Sequence, residues 1–325
     1  KIKLKNRTVV SPMCQYSGED GNPSKWHYGH LQQLSFSGAG MIMIEATAVS
    51  DQGRITLKDL TLKNEENENS FKKLINYIKS LSDVPLGLQI SHAGRKGSTH
   101  VPWVKQNSPL KVCEQAWETV APSPIKRGKH WPTPVSLTHN QMTEIASDYI
   151  QTTFRANRIG FDCLEIHMAH GYLLHQFFSP ITNLRTDFYG GTLNNRSRFP
   201  LELVAEVRKI WPSDKILGVR ITGEDWINGG VSINDSSWFA GRLKDHGVDY
   251  VCVSSGGIIP KTGMIIKPGY QVQLAEEIKK RTGIITRTSG SINSLNHATN
   301  ILNDKSADLV AFGKKFINEP TWLIH

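Results

Sequence analysis

The chain carries two hydrophobic rhythms in alternation. Short, nearly continuous apolar and β-branched runs occur at Thr8–Met13, Met41–Val49, Leu86–His92, Cys163–Met168, Ile216–Thr222, Tyr250–Ser255, Ile284–Ser289 and Leu309–Gly313. Continuous apolar character is what a strand covered on both faces of a parallel sheet requires. Between these runs the apolar residues fall at helical spacing. Met142, Ile145, Ala146, Tyr149 and Thr153 mark one face, and Gly160 stands where a C-terminal cap belongs. Leu201, Val204, Val207 and Ile210 mark a second face, stopped before Pro212, and Leu274, Ala275 and Ile278 a third, ended by Gly283. The sequence has neither G-x-G-x-x-G nor G-x-x-x-x-G-K-[ST]. Eight β/α alternations without those loops predict a single-domain (β/α)8 TIM barrel over residues 1–325 rather than a doubly wound sheet. The longest connection follows the third run. Its first part, residues 93–140, holds Trp103, Trp117, Trp131 and several prolines, and reads as a loop insertion on the C-terminal face that leads into the third helix.

Composition narrows the class. Hydrophobic residues make up 38% and charged residues 21% of 325, a globular balance. No apolar run approaches the roughly 20 residues of a membrane span, and no secretory h-region opens the chain. Cys14, Cys113, Cys163 and Cys252 lie far apart, which excludes structural zinc and iron–sulfur frameworks and points to a reducing, cytoplasmic setting. The net charge of +9 raises nucleic acid as a partner. Its distribution argues otherwise: residues 93–139 hold seven Lys/Arg against two Glu. Such a segment is a solvated face or a basic rim that draws in a small phosphorylated ligand; neither nucleic acid nor membrane is expected.

Barrel enzymes carry their functional groups at the C-terminal ends of strands. Here those ends hold Pro12-Met13-Cys14-Gln15-Tyr16, then Gln89, His92 and Arg95, then His167, His170 and Tyr172, then Arg220, and finally Ser289-Gly290 and Gly313-Lys314. Glycines after strands seven and eight are either a backbone phosphate site or plain turns. His167 and His170 are three apart, so on a continuous strand they would face opposite ways; they converge only if the strand ends between them. No third ligand stands near, and no metal is expected. Two neutral imidazoles suit an oxygen that gains negative charge, and a neighbouring tyrosine suits a general acid. Arg220 requires an anionic partner, either a carboxylate or an electron-rich cofactor edge. Cys14 is either core or site.

These residues resemble the old yellow enzyme family of flavin mononucleotide (FMN) ene-reductases, and most closely its xenobiotic reductase and thermophilic-type subclass. The resemblance rests on Ser11-Pro-Met-Cys-Gln-Tyr16, Glu45-Ala-Thr-Ala-Val49, Gly53-Arg-Ile-Thr56, Gln89-Ile-Ser-His-Ala-Gly-Arg-Lys96, Glu165-Ile-His-Met-Ala-His-Gly-Tyr-Leu-Leu-His175, Asn183-Leu-Arg-Thr-Asp-Phe-Tyr-Gly-Gly191 and Asn195-Arg-Ser-Arg-Phe199. It implies that Ser11, Pro12, Met13, Cys14, Ala46 and Gln89 line the isoalloxazine ring. Arg220 would face its N1/O2 edge, and Ser289, Gly290, Gly313 and Lys314 would hold the phosphate. His167 and His170 would bind the substrate carbonyl, Tyr172 would protonate the α-carbon, Tyr16 would touch substrate, and Cys14 would tune the flavin. NADPH, with NADH as the other choice, would supply the hydride. The basic rim favours NADPH, whose 2′-phosphate is an extra anion. Lys314 departs from the family's usual arginine, which predicts a looser phosphate grip. The subclass tail that reaches a neighbouring active site is not among these residues. A homo-dimer or higher oligomer is the family's habit. Two other readings stay open at this level: a phosphosugar-binding barrel aldolase or isomerase, though strand six offers no Schiff-base lysine, and a non-catalytic flavin carrier.

Overall fold

The computed structural model describes residues 2–105 and 108–324. Eight parallel strands close on themselves: β1 (Thr8–Val10), β2 (Met41–Ala48), β3 (Leu86–Ser91), β4 (Cys163–Met168), β5 (Ile216–Thr222), β6 (Tyr250–Ser254), β7 (Ile285–Thr288) and β8 (Leu309–Phe312). Closure comes from β8 pairing with β1, Val10 opposite Phe312. The expected (β/α)8 barrel is therefore what forms. The first strand is shorter than the run Thr8–Met13. Pro12 has no N–H for the ladder, so the chain leaves the sheet after Val10.

The covering helices are α1 (Lys25–Ser35), α2 (Glu65–Leu81), α3 (His139–Ile159), α4 (Leu193–Ile210), α5 (Ile233–Asp245), α6 (Val272–Thr282), α7 (Leu295–Asn303) and α8 (Lys314–Asn318). Thr138 caps α3 in a reciprocal box with Gln141, and Gly160 ends it in the left-handed region at φ 96°. The apolar face read from the sequence, with Met142, Ile145 and Tyr149, is buried against the barrel. Between β3 and α3 the chain forms a 3-10 turn (Gly94–Lys96), a short helix (Pro102–Lys105) and a parallel ribbon of Val120–Ala121 with Val135–Ser136. No described helix is long and apolar enough to cross a membrane.

Along β4, Leu164, Ile166 and Met168 belong to the apolar layer shared with the helices, and Glu165 and His167 alternate with them towards the barrel axis. The axis is not filled by hydrocarbon alone. Arg287 pairs with Glu165, both fully buried. Tyr250 Oη donates to Glu165 Oε2 at 2.6 Å, and Gln89 Nε2 donates to Oε1 at 2.7 Å. Arg287 Nη1 in turn donates to Tyr250 Oη at 3.2 Å. Gly218 makes room for this cluster: a Cβ there would lie 2.2 Å from the Tyr250 ring.

Breaking such a pair strands a buried charge. Arg287→Met is expected to cost about 3–5 kcal/mol in urea unfolding. The double variant Glu165→Met/Arg287→Met should lose less than either single change; additive losses would show that the two charges are not coupled.

Candidate active site

The C-terminal ends of the strands open on a cavity of about 510 Å³. It is within the size range of small-molecule sites. Ser11, His170, Arg220, Ser289, Gly290, Gly313 and Lys314, all singled out from the sequence, line it. Gly290 has φ 106°, a conformation that any side chain would strain. Met13 packs beside Gly313, whose Cβ would meet its sulfur at 3.2 Å. Ala46 and Gln89 sit opposite each other on β2 and β3. Both are buried and neither lines this cavity; the Gln89 amide nitrogen is committed to Glu165.

After β1, the coil of Ser11–Tyr16 is pinned at both ends. Ser11 N–H donates to Phe312 O at 2.8 Å, and Gln15 N–H donates to Glu45 Oε2 at 2.7 Å. Half-buried Pro12, Cys14 and Tyr16 lie on this coil, Tyr16 with φ 48°. Burial, then the charges of Glu45 and Asp59, push the Cys14 thiol well above its ordinary value, so it is a thiol rather than a thiolate.

The strand does end between the two histidines. β4 stops at Met168, and His170 (φ 58°) and Gly171 (φ 73°) turn the chain back. The His167 and His170 rings come within 5.0 Å, and Tyr172 stands 4.8 Å from His167. Behind the turn, Gly171 N–H donates to His175 Nδ1 at 2.8 Å, and His175 faces buried Asp225 at 3.1 Å.

Hydrogen bonds assign the tautomers. Ala169 N–H donates to His167 Nδ1 at 3.1 Å, which leaves the proton on Nε2. That N–H points to His170 Nδ1 at 3.1 Å, and His170 Nε2–H then points to Ser254 Oγ at 2.6 Å. Burial, then Arg220, hold both imidazoles well below the usual histidine value. Both rings are neutral. Burial also raises the Tyr172 phenol far above its ordinary value, so it keeps its proton at neutral pH.

Arg220 lies opposite His167 in the sheet register. Its Nε is buried without a hydrogen-bond partner, and no ion pair reaches it among the described residues. The carboxylate alternative is therefore not realised. An anionic or electron-rich group in the cavity would satisfy it. With serines, glycines and Lys314 at the cavity's far end, the residues present fit a flavin with a terminal phosphate.

Other lining groups escaped the sequence reading. Ser254 ends β6 and was open to the same strand-end rule. Tyr270, Gln271, Ser291, Asn293 and Lys315 follow loops and carry no motif. The Gln271 amide, oriented to accept Ser255 N–H at 3.0 Å, donates to Ser289 Oγ at 3.1 Å.

The profile of the NADH:flavin oxidoreductase / NADH oxidase family matches residues 1–325. The chain is 39% identical to the NADH:flavin oxidoreductase FG08077 of Gibberella zeae, covering 98% of this chain and 81% of that one. It is 37% identical to the NADPH dehydrogenase of Bacillus subtilis (strain 168), covering 98% and 89%. The solved structure of morphinone reductase in complex with tetrahydroNAD superposes with a TM-score of 0.78 at 26% identity, over 97% of this chain and 84% of that one.

The depressed histidines have a consequence for stability. On acidification the unfolded chain takes up protons near pH 6.5 before the folded chain does, so stability falls as pH drops below about 6.5. Nitrogen-15 imidazole shifts should show His167 and His170 still uncharged at a pH of about 6.5, where a free imidazole is half protonated. A ring that titrates near its ordinary value of about 6.5 would contradict the burial argument.

Proposed function

The chain belongs to the NADH:flavin oxidoreductase / NADH oxidase family and is an FMN-dependent NAD(P)H oxidoreductase of the old yellow enzyme type; from that premise we propose that it is an ene-reductase, which reduces the activated C=C bond of α,β-unsaturated carbonyl and related electrophilic compounds. The observation that carries this reading is the convergence of two neutral imidazoles and a protonated phenol beside a cavity lined by Arg220, Ser11, Ser289, Gly290, Gly313 and Lys314.

When bound, FMN would supply the hydride chemistry that links NAD(P)H to the β-carbon of the substrate. Ser289, Gly290, Gly313 and Lys314 would hold its phosphate, Arg220 the edge on which negative charge builds, and Ser11–Cys14 one side of its ring. His167 offers Nε2–H to the substrate carbonyl oxygen. His170 becomes a second donor when its proton resides on Nδ1. The Ser254 hydroxyl, which accepts from Nε2–H in the resting network, then turns round and donates to Nε2. Two neutral donors aimed at one oxygen stabilise the charge that develops there. Tyr172 gives its proton to the α-carbon, a base far stronger than water, and recovers it from solvent. Tyr16 and Cys14 complete the substrate wall.

The direct test follows the visible spectrum of the holoenzyme under anaerobic conditions. NADPH should bleach it and 2-cyclohexenone should restore the colour. Protein that bleaches but does not recover with the enone overturns the reading. Tyr172→Phe is expected to slow enone-dependent recovery by about 100-fold or more, within the usual range for losing a general acid, while bleaching by NADPH keeps its rate. Equal loss in both half-reactions would remove Tyr172 as proton donor.

A further inference from the structure

We propose that Gln271, acting through the Ser254 hydroxyl, is a positioning residue that decides which nitrogen of His170 carries its proton, and so whether the substrate oxygen meets one hydrogen-bond donor or two. This rests on the ene-reductase reading and assigns a control to the same oxygen-binding pair.

Four contacts run in series. His167 Nε2–H points to His170 Nδ1 at 3.1 Å, and His170 Nε2–H points to Ser254 Oγ at 2.6 Å. Ser254 Oγ lies 3.1 Å from the amide oxygen of Gln271, whose amide nitrogen donates to Ser289 Oγ at 3.1 Å. His170, Ser254, Gln271 and Ser289 all line the cavity. Ser254 and Gln271 are otherwise buried, so the direction of each bond is set by its neighbours in the series.

A serine hydroxyl has one proton to give. In the resting series it goes to Gln271, and Ser254 accepts from His170 Nε2–H. Nδ1 of His170 is then a lone pair, and a carbonyl oxygen arriving between the rings meets one N–H and one lone pair. If Ser254 gives its proton to His170 Nε2 instead, the ring carries its own proton on Nδ1 and both rings donate. One proton leaves Nε2 as one arrives at Nδ1, so the ring stays neutral.

Crowding at Gln271 is what leaves the hydroxyl free to turn. The amide oxygen has two lone pairs. Four donors stand around it: Ser255 N–H at 3.0 Å, and the hydroxyls of Ser254, Ser255 and Tyr270, each at 3.1 Å. The backbone N–H has a fixed direction, so three hydroxyls compete for what remains. Ser254 can leave without stranding the amide, and the arriving oxygen has to outweigh only one contested hydrogen bond. A weaker acceptor at position 271 releases Ser254 and a stronger one retains it. A role in packing alone would not make the sign of the effect follow the acceptor strength of this residue.

The test uses FMN-loaded, oxidised enzyme, which has no hydride to give and so binds 2-cyclohexenone without reducing it. The enone Kd is read from the perturbed flavin spectrum. Gln271→Met, a far weaker acceptor, should tighten binding by about fivefold, and Gln271→Glu, a stronger one, should weaken it by about tenfold or more, the scales of a neutral and a charge-assisted hydrogen bond. Nitrogen-15 imidazole spectra of the same samples should place the His170 proton on Nε2 in the free unaltered enzyme and on Nδ1 once the enone saturates it. In Gln271→Glu it should stay on Nε2. Weaker binding in both variants overturns the proposal and leaves Gln271 a structural residue. So does a His170 proton that stays on one nitrogen when the unaltered enzyme binds the enone, a result that needs no variant and stands even where a variant fails to fold or to hold FMN. If 2-cyclohexenone does not reoxidise the reduced, unaltered enzyme, the ene-reductase reading falls; if it does and both variants move the same way, only this proposal falls.

Discussion

Arg287 and Glu165 face each other inside the barrel with no access to water, and either charge left alone there would cost several kcal/mol. The pair is kept by being saturated: Tyr250 and Gln89 bond the same carboxylate. The consequence reaches upward. Glu165 and His167 alternate on one strand, and Arg220 stands opposite His167 in the register. A slip of one residue in β4 would turn Glu165 into the helical layer and take His167 out of the site. The polar cluster therefore fixes register as well as filling space, and the chemistry-bearing layer sits directly above it.

Above that layer, precision comes from backbone rather than from long side chains. His170 and Gly171 occupy the left-handed region in succession, which turns the chain sharply enough to bring two rings three residues apart into contact. Gly171 has no room for a side chain, since a Cβ would lie 2.3 Å from Gly257 O. Its N–H is held by His175, and His175 is backed by Asp225. The turn is thus supported from behind by His175, which accepts the Gly171 N–H on one side and faces Asp225 on the other.

Much of this was legible in the sequence, because strand ends in a parallel barrel are positional labels. Ser11, His170, Arg220, Ser289, Gly290, Gly313 and Lys314 were separated by up to three hundred residues and fall on one cavity for that reason alone. The polar axis was less legible. Glu165 stood only as the first residue of the motif that runs to His175, and Arg287 sat unnoticed inside an apolar run, because a sequence does not say which strand a buried charge will face. Residues 93–140 gave no period since they are tied by isolated contacts: Arg95 to carbonyls of residues 125, 126 and 258, and Trp117 to Gln52 O at 3.2 Å. Such long-range bonds leave no local pattern.

The charges of the site are divided by what each must do. Arg220 lines the cavity with a fixed positive charge, and in the proposed reaction it would steady the cofactor edge without donating a proton, since a guanidinium does not deprotonate in proteins. The imidazoles are kept neutral by burial and by that same arginine, so they donate hydrogen bonds without surrendering protons to a weak acceptor. Tyr172 is the group assigned to give a proton away, and burial makes that harder rather than easier. In an ene-reductase this is an advantage. A phenol held so far from ionisation does not protonate an unreacted alkene or the solvent. It protonates only a carbon made strongly basic by hydride arrival. The order of the two transfers then follows from the burial of one hydroxyl, without any moving part.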